Sequence, residues 1–137
     1  MFAISFLALG ILGTTVFTAQ QGNSAQPSKL AVLWTSGDPH VAEKMLLMYT
    51  HAAQKNTWFD EVVLIVWGPS SKLLAETEKF QKKIKQMQKD GIKVEACVVC
   101  ADMYGVSDQL RGMGIDVKGM GKPLSGYLKS DWKVLSL

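Results

Sequence analysis

The sequence predicts a single α/β domain with three layers, in which helices cover both faces of a mostly parallel five-stranded sheet. From Lys29 onward, apolar runs of strand length alternate with segments of helical period, which is typical of a parallel-sheet domain. The run Val62–Trp67 has no polar alternation, and such a strand needs helices on both faces. The length of 137 residues favours one domain rather than two.

The first half of the domain begins with a strand over Leu30–Trp34, a continuous apolar run. Turn residues follow, with Asp38 as the predicted N-cap of a helix and Pro39 as its first residue. The apolar side chains of this helix recur near the 3.6-residue period, and Asn56-Thr57 is predicted to end it. The second strand is Val62–Trp67.

The second half begins with one long helix, predicted to start at Gly68-Pro69 and to end at Asp90-Gly91. Its many lysines are interpreted as a solvated face. The third strand is Ile92–Val98, followed by an irregular segment and a short helix that ends at Leu110. The last predicted elements, in chain order, are a fourth strand at Gly114–Val117, a short helix around Leu124–Leu128 and a fifth strand at Trp132–Leu137.

The N-terminal segment differs from this body. Residues 1–26 contain no charged side chain, and Phe2–Phe17 is almost wholly apolar. That block is short for a membrane-spanning helix and suits the apolar region of a secretory signal. We therefore predict a signal peptide or N-terminal anchor over 1–26, a domain over 29–137, and an exported, periplasmic protein. Membrane association is expected only if the segment stays uncleaved.

Composition disfavours several classes of function. The formal net charge is +3, and the lysines are not interleaved with aromatic side chains, so no nucleic-acid partner is expected. A metal site is not expected, because only His40 could join the two cysteines as a nearby ligand. No cofactor is expected either, since Gly119-Met120-Gly121 lacks the third glycine and the long preceding strand of a phosphate-binding loop.

The chemically distinctive feature is a Cys-x-x-Cys formed by Cys97 and Cys100 at the end of the third strand. In an open parallel sheet, ligands bind beyond the carboxyl ends of the strands. A thiol that faces a helix N-terminus there is expected to favour its thiolate form, which is the nucleophile. Outside the cytoplasm the pair could be a disulfide, a redox dithiol or a sulfur carrier.

Other residues at the same predicted edge are candidates for lining a crevice next to the cysteines. They end or follow the first and second strands or precede the short helix near the C-terminus, and they are Trp34, Ser36, Asp38, Trp67 and Met120.

From Lys29 to Leu137 the chain resembles the DsrE-like family. The resemblance rests on the order and spacing of four segments, which are Leu30–Ser36, Val62–Gly68, Cys97–Val106 and Gly114–Leu135. In sulfur-relay members of that family a single cysteine ends the third strand eight residues before a Gly-Val pair. Cys97 stands in this relation to Gly105-Val106.

The resemblance implies a parallel five-stranded sheet, assembly into homo-oligomers (trimers or hexamers) and, in some members, persulfide transfer. It makes Cys97 the sulfur acceptor, with a sulfur donor or acceptor protein, or a small thiol, as the partner. Two features depart from the relay pattern: the second cysteine, Cys100, and the export signal.

The leading hypothesis is therefore a thiol-based sulfur-handling protein, in which Cys97 carries a persulfide and Cys100 resolves it. Two alternatives stay open. The same pair could catalyse thiol–disulfide exchange. The protein could instead be a non-catalytic oligomeric module that binds a ligand or a protein, with the two cysteines as a structural disulfide.

Overall fold

The computed structural model describes residues 27–137. The predicted signal peptide or anchor lies outside the described residues. Within residues 27–137, no helix combines the length and the apolar character that crossing a membrane requires.

The described chain alternates strands and helices, as the sequence predicts. The strands are β1 (Lys29–Trp34), β2 (Glu61–Val66), β3 (Lys93–Cys97), β4 (Asp116–Lys118) and β5 (Lys133–Ser136). The helices are α1 (Pro39–Val41), a π-helical turn (Ala42–Leu46) that continues into α2 (Leu47–Lys55), α3 (Pro69–Glu76), α4 (Glu78–Lys89), α5 (Val98–Met103), α6 (Ser107–Gly112) and α7 (Gly121–Lys129).

The five strands form one sheet in the order β4-β3-β2-β1-β5, and every pairing is parallel. The crossovers from β1 through β4 step in one direction, whereas the crossover from β4 to β5 returns across the sheet. Since such crossovers are right-handed, the first set of helices covers one face and α7 covers the other. The α/β fold with helices on both sides is therefore confirmed.

The two faces differ in how much they bury. The face covered by α1–α6, here called the helical face, holds the larger apolar cluster, which includes Trp34, Leu64 and Ile84. The opposite face, here called the cysteine face, holds a small buried cluster beneath α7. Its members are Ala31, Val63, Ile65, Cys97 and Met120. The domain's main core is thus on the helical face.

The first predicted helix boundary is confirmed. The Asp38 carboxylate accepts hydrogen bonds from the backbone N–H groups of His40, at 2.7 Å, and Val41, at 3.3 Å. Pro39 is the first helical residue. The cap satisfies two of the donors that the first turn leaves without helical partners.

Two helix predictions were wrong. The long helix predicted after β2 is broken at Thr77, whose backbone is extended (φ −114°, ψ 99°). Gln81 and Gln109 stabilise the break, because their side chains donate hydrogen bonds to the freed Ala75 carbonyl. The segment after Cys97, predicted to be irregular, begins instead with α5, in spite of its β-branched start at Val98-Val99. Ala101 in this helix is fully buried, so packing outweighs the weak helix propensity of valine.

Candidate thiol site

Cys97 is the last residue of β3 and the N-cap of α5. Its side chain is only 4% exposed and packs in the buried cluster of the cysteine face with Ile65 and Met120. Cys100 lies in the first turn of α5, is half-buried, and packs against the same cluster. The expectation of two open thiols is therefore wrong for Cys97, and Cys100 is the more accessible sulfur.

Both cysteines are free thiols in the structure, and their side chains lie within hydrogen-bonding reach. Burial raises the pKa of the Cys100 thiol, and contact with the Cys97 sulfur raises it further. The Gly68 N–H faces the Cys100 sulfur and partly offsets this. The expected stabilisation of a thiolate thus does not extend to Cys100, which keeps its proton and can donate S–H to Cys97.

Gly68 can face Cys100 because of its unusual backbone conformation. Its φ of 70° and ψ of −137° are accessible to glycine and strained for residues that carry a Cβ. This conformation turns the chain directly from β2 into α3. Ser70, in the first turn of α3, donates a hydrogen bond to the Trp34 carbonyl at 2.6 Å and so ties the ends of β1 and β2 together.

The candidate crevice residues fall into two groups. Met120 is buried beside Cys97, and Trp67 packs partly buried against the same cluster. Trp34 is fully buried on the helical face, edge-on to Phe80 at 6.1 Å between ring centroids. It therefore does not line a crevice with the cysteines, and that prediction is corrected.

Ser36 and Asp38 are engaged in the loop after β1. The Ser36 carbonyl accepts from Trp34 Nε1 at 2.9 Å, and its hydroxyl accepts from the Asp38 backbone N–H at 3.0 Å. The Asp38 carboxylate caps α1, as described above. These two side chains thus organise the loop.

A shallow crevice does lie at the carboxyl edge of the sheet, but other residues line it. It has a volume of about 270 Å³, and Gly37, Pro69 and Tyr104 belong to its lining. An added Cβ at Gly37 would stand 3.1 Å from the Pro69 Cβ, so the loops after β1 and β2 are in close contact. That volume is slightly below the range of roughly 300–1,000 Å³ for ligand pockets.

A buried charge network lies directly beside Cys97. Glu95 is 1% exposed and shares a face of β3 with Cys97, because alternate side chains of a strand point the same way. Its carboxylate accepts from Lys93 Nζ at 2.7 Å, Lys118 Nζ at 2.9 Å and Tyr127 OH at 3.1 Å. Lys118 is also the register partner of Cys97 across β3 and β4.

The network shifts the pKa of three of its members, Glu95, Lys118 and Tyr127. Burial raises the pKa of Glu95, but hydrogen bonds from Lys118 and Lys93 lower it by more, so the net shift is downward. Hydrogen bonds to Asp116 and Glu95 raise the pKa of Lys118. Burial, with the charge of Glu95, raises the pKa of Tyr127 to about 12. The carboxylate and the ammonium therefore both stay charged beside the thiol.

This network is not among the features predicted from the sequence, although a signal for it is present. Glu95 is a charged side chain inside a buried strand, two positions before Cys97. Buried carboxylates are almost always paired, so a cationic partner on a neighbouring strand could have been expected. Lys118 could not be identified in advance, because the pairing register of β3 and β4 is not visible in the sequence.

Within residues 27–137, no cluster of three or more histidine, cysteine, aspartate or glutamate side chains could hold a metal ion.

Comparison with known proteins agrees with this architecture. A conserved protein of unknown function from Bacteroides thetaiotaomicron is similar in structure, with a TM-score of 0.77 and 37% identity over 80% of this chain and 95% of that one. The ychN protein from E. coli has a TM-score of 0.60 and 17% identity over 80% of this chain and 99% of that one, a likeness of fold alone. No curated protein matches significantly. The model of the DsrE/DsrF-like family matches residues 28–137, which include the whole described sheet and both thiols, and the chain therefore belongs to the DsrE/DsrF-like family.

Proposed function

We propose that the protein carries sulfane sulfur as a persulfide on Cys97 and that Cys100 resolves this persulfide. The observation that carries the proposal is the contact between two free thiols at the end of β3, of which Cys100 has a raised pKa. The Cys100 thiol keeps its proton and can donate S–H to the Cys97 sulfur, so Cys97 is assigned as the attacking sulfur. Thiolate is the attacking form.

The loading step conserves atoms and electrons. The Cys97 thiolate attacks the outer sulfur of a donor persulfide, the donor's S–S bond breaks, and the donor leaves as a thiolate. Cys97 then holds an S–S bond to the transferred sulfur. An acceptor thiolate can remove that sulfur by the same exchange, which regenerates Cys97.

Cys100 offers a second route by which the transferred sulfur can leave Cys97. Once deprotonated, it can attack the inner sulfur of the Cys97 persulfide, which forms a Cys97–Cys100 disulfide and releases hydrosulfide. The transferred sulfur is reduced by two electrons and the dithiol is oxidised, so a small thiol must then reduce the disulfide. The reaction at Cys97 also needs a small displacement of its covering side chains, because Cys97 is only 4% exposed.

An exposed apolar strip lies next to these thiols. Val99 and Met103 are four residues apart on α5, which places them on one side of the helix, and they are 59% and 81% exposed. We infer that a sulfur donor or acceptor protein, or another copy of the chain in a trimer or hexamer, contacts this strip. Export to the periplasm remains a proposal that rests on residues 1–26.

The test is mass spectrometry of the protein after exposure to glutathione persulfide. We expect a mass increase of one sulfur atom on Cys97, lost in Cys97→Ser. In Cys100→Ser the adduct should persist several-fold longer, because the resolving thiol is gone.

Two outcomes would contradict the proposal. An adduct that forms equally in Cys97→Ser would remove Cys97 from the role of carrier. Reduction of a disulfide substrate without any sulfur adduct would favour the thiol–disulfide alternative instead. Unchanged thermal unfolding of each variant serves as the control for folding.

A further inference from the structure

A second and larger concavity lies on the outer side of the helical face, away from the thiols. It is a groove of about 690 Å³ between α2 and the first half of α4. This volume is well inside the range of roughly 300–1,000 Å³ that is typical of small-molecule sites. The crevice at the carboxyl edge of the sheet has less than half of the volume of this groove.

The floor and one wall of the groove are apolar. Leu47 and Phe80 close the floor and are 2% and 3% exposed, while Met48 and Ala52 line the wall along α2. Met48 is 56% exposed and extends this apolar surface toward the solvent. A ligand with an apolar body would bury this surface.

The rim of the groove is cationic. Among the residues that the structure describes, one carboxylate lines it, that of Glu43, together with four lysines, which are Lys55, Lys79, Lys82 and Lys83. Lys79 is paired with Glu43 at 2.5 Å, and Lys82 with Glu78 at 2.6 Å. Within residues 27–137, Lys55 and Lys83 form no ion pair with a carboxylate, although the charge of Asp90 acts on Lys55, and they provide the charge that remains for a ligand.

Lys83 is held in place by a relay of side chains. Its ammonium donates to His51 Nδ1 at 2.6 Å, and His51 Nε2 donates to Asp90 Oδ2 at 2.5 Å. The imidazole is 11% exposed. A lysine ammonium has three N–H donors, and the hydrogen bonds of the described residues use one of them on His51, which leaves donors for an anion.

The backbone at the groove is also irregular. The π-helical turn Ala42–Leu46 directly precedes Leu47, and Glu43 within it lines the groove. Single π-helical turns inserted in α-helices occur frequently at functional sites. This feature is independent of the charge and volume of the groove.

We propose that this groove binds a small soluble organic anion, with one carboxylate or sulfonate at Lys83 and an apolar body on Leu47, Ala52 and Phe80. The argument rests on charge complementarity at the rim, on the apolar floor and on the volume. This site is separate from the proposed sulfur chemistry, which lies on the opposite face of the sheet, so either proposal can fail without the other.

The test is fluorescence titration of the purified protein with anilinonaphthalene sulfonate, followed by displacement with decanoate, decanol and decylamine. We expect decanoate to displace the probe and the neutral and cationic compounds of equal chain length to be at least about tenfold weaker, since a charge-assisted contact contributes more than 1.4 kcal/mol. Equal displacement by decanol or decylamine would overturn the proposal.

Variants locate the site. Lys83→Gln should weaken decanoate binding about tenfold, whereas Lys85→Gln on the same helix, outside the groove, should leave it unchanged. Ala52→Trp should fill the groove and abolish binding. Equal effects of Lys83→Gln and Lys85→Gln would show general charge attraction and overturn the site.

Size-exclusion chromatography of the same variants tests another occupant. If Ala52→Trp dissociates an oligomer of the wild-type protein, the groove belongs to a second copy of the chain and the small-molecule proposal is wrong. If the oligomeric state is unchanged while decanoate binding is lost, the proposal is supported. A thermal unfolding curve for Ala52→Trp confirms that the variant is folded.

Discussion

The two faces of the sheet differ in the helices that cover them, in the size of their apolar clusters and in their chemistry. The helical face is covered by α1–α6 and holds the large apolar cluster, whereas α7 is the one helix of residues 27–137 that covers the cysteine face. The side chains with unusual chemistry, Cys97 and the Glu95 network, are both on the thinly covered face. The comparison indicates that the helical face supplies most of the stability, whereas the proposed thiol chemistry lies on the cysteine face.

This division has a physical basis. Buried apolar area stabilises a fold roughly in proportion to its extent, and the larger cluster therefore fixes the sheet. A face with a small core can retain a paired carboxylate and a thiol, because the rest of the domain does not depend on its packing. Access to Cys97 then requires displacement of only a few groups around α5 and α7.

The largest expected effect comes from comparing two tryptophans. Trp34→Ala removes a fully buried side chain on the helical face and should reduce the free energy of unfolding by about 3–5 kcal/mol. Trp67→Ala removes a half-buried side chain on the cysteine face and should cost about half as much. Urea unfolding followed by circular dichroism measures both, and equal losses would contradict the division between the faces.

The same tryptophans show what the sequence could and could not predict. The strand and helix order followed from apolar runs and caps, so the fold class was predictable. The sequence places both tryptophans at one crevice because each ends a predicted buried strand. The register pairs Trp34 with Val66, which puts Trp67 one residue further along and on the opposite face. A shift of one residue reverses every side chain of a strand, and the sequence does not contain the register.

The candidate thiol site was predictable in position but not in exposure. The Cys-x-x-Cys does stand at the end of β3, as predicted. The low exposure of Cys97 comes from contacts with Met120 and Ile65, which are distant in sequence. The break at Thr77 was likewise set by side-chain hydrogen bonds from Gln81 and Gln109, which a periodic pattern cannot reveal.

An intermediate effect is expected from Glu95→Gln. This change keeps the shape of the side chain but removes the charge that Lys93 and Lys118 neutralise, and it should cost about 1.5–3 kcal/mol near neutral pH. Glu61→Gln is the matched control on the same face, because its ion pair with Lys29 at 3.6 Å is exposed and should contribute at most about 1 kcal/mol.

The acid dependence sharpens the same comparison. Since the folded-state pKa of Glu95 lies below its ordinary value of 4.5, its charge stabilises the fold above that value, and the contribution is lost as the pH falls through the lower folded pKa. The difference in unfolding free energy between wild type and Glu95→Gln should therefore shrink below pH 4.5. A difference that stays constant down to strong acid would show that Glu95 acts through packing rather than charge.

The smallest effect is expected at Tyr127, where the network meets α7. Tyr127→Phe removes one hydrogen bond to Glu95 while both lysines stay, so the cost in unfolding free energy should be about 0.5–1.5 kcal/mol.

The phenol of Tyr127 also gives a direct titration signal. Its pKa is raised from 10.0 to about 12 by burial and by the charge of Glu95, so its contribution to stability is present below pH 10 and is lost as the pH rises through about 12. Tyrosinate absorbance, taken as the difference between wild type and Tyr127→Phe, should show this late titration, and Glu95→Gln should move it to lower pH. If Glu95→Gln leaves the pKa of Tyr127 unchanged, burial of the phenol between α7 and the sheet alone sets that pKa. The carboxylate beside Cys97 then does not act on α7.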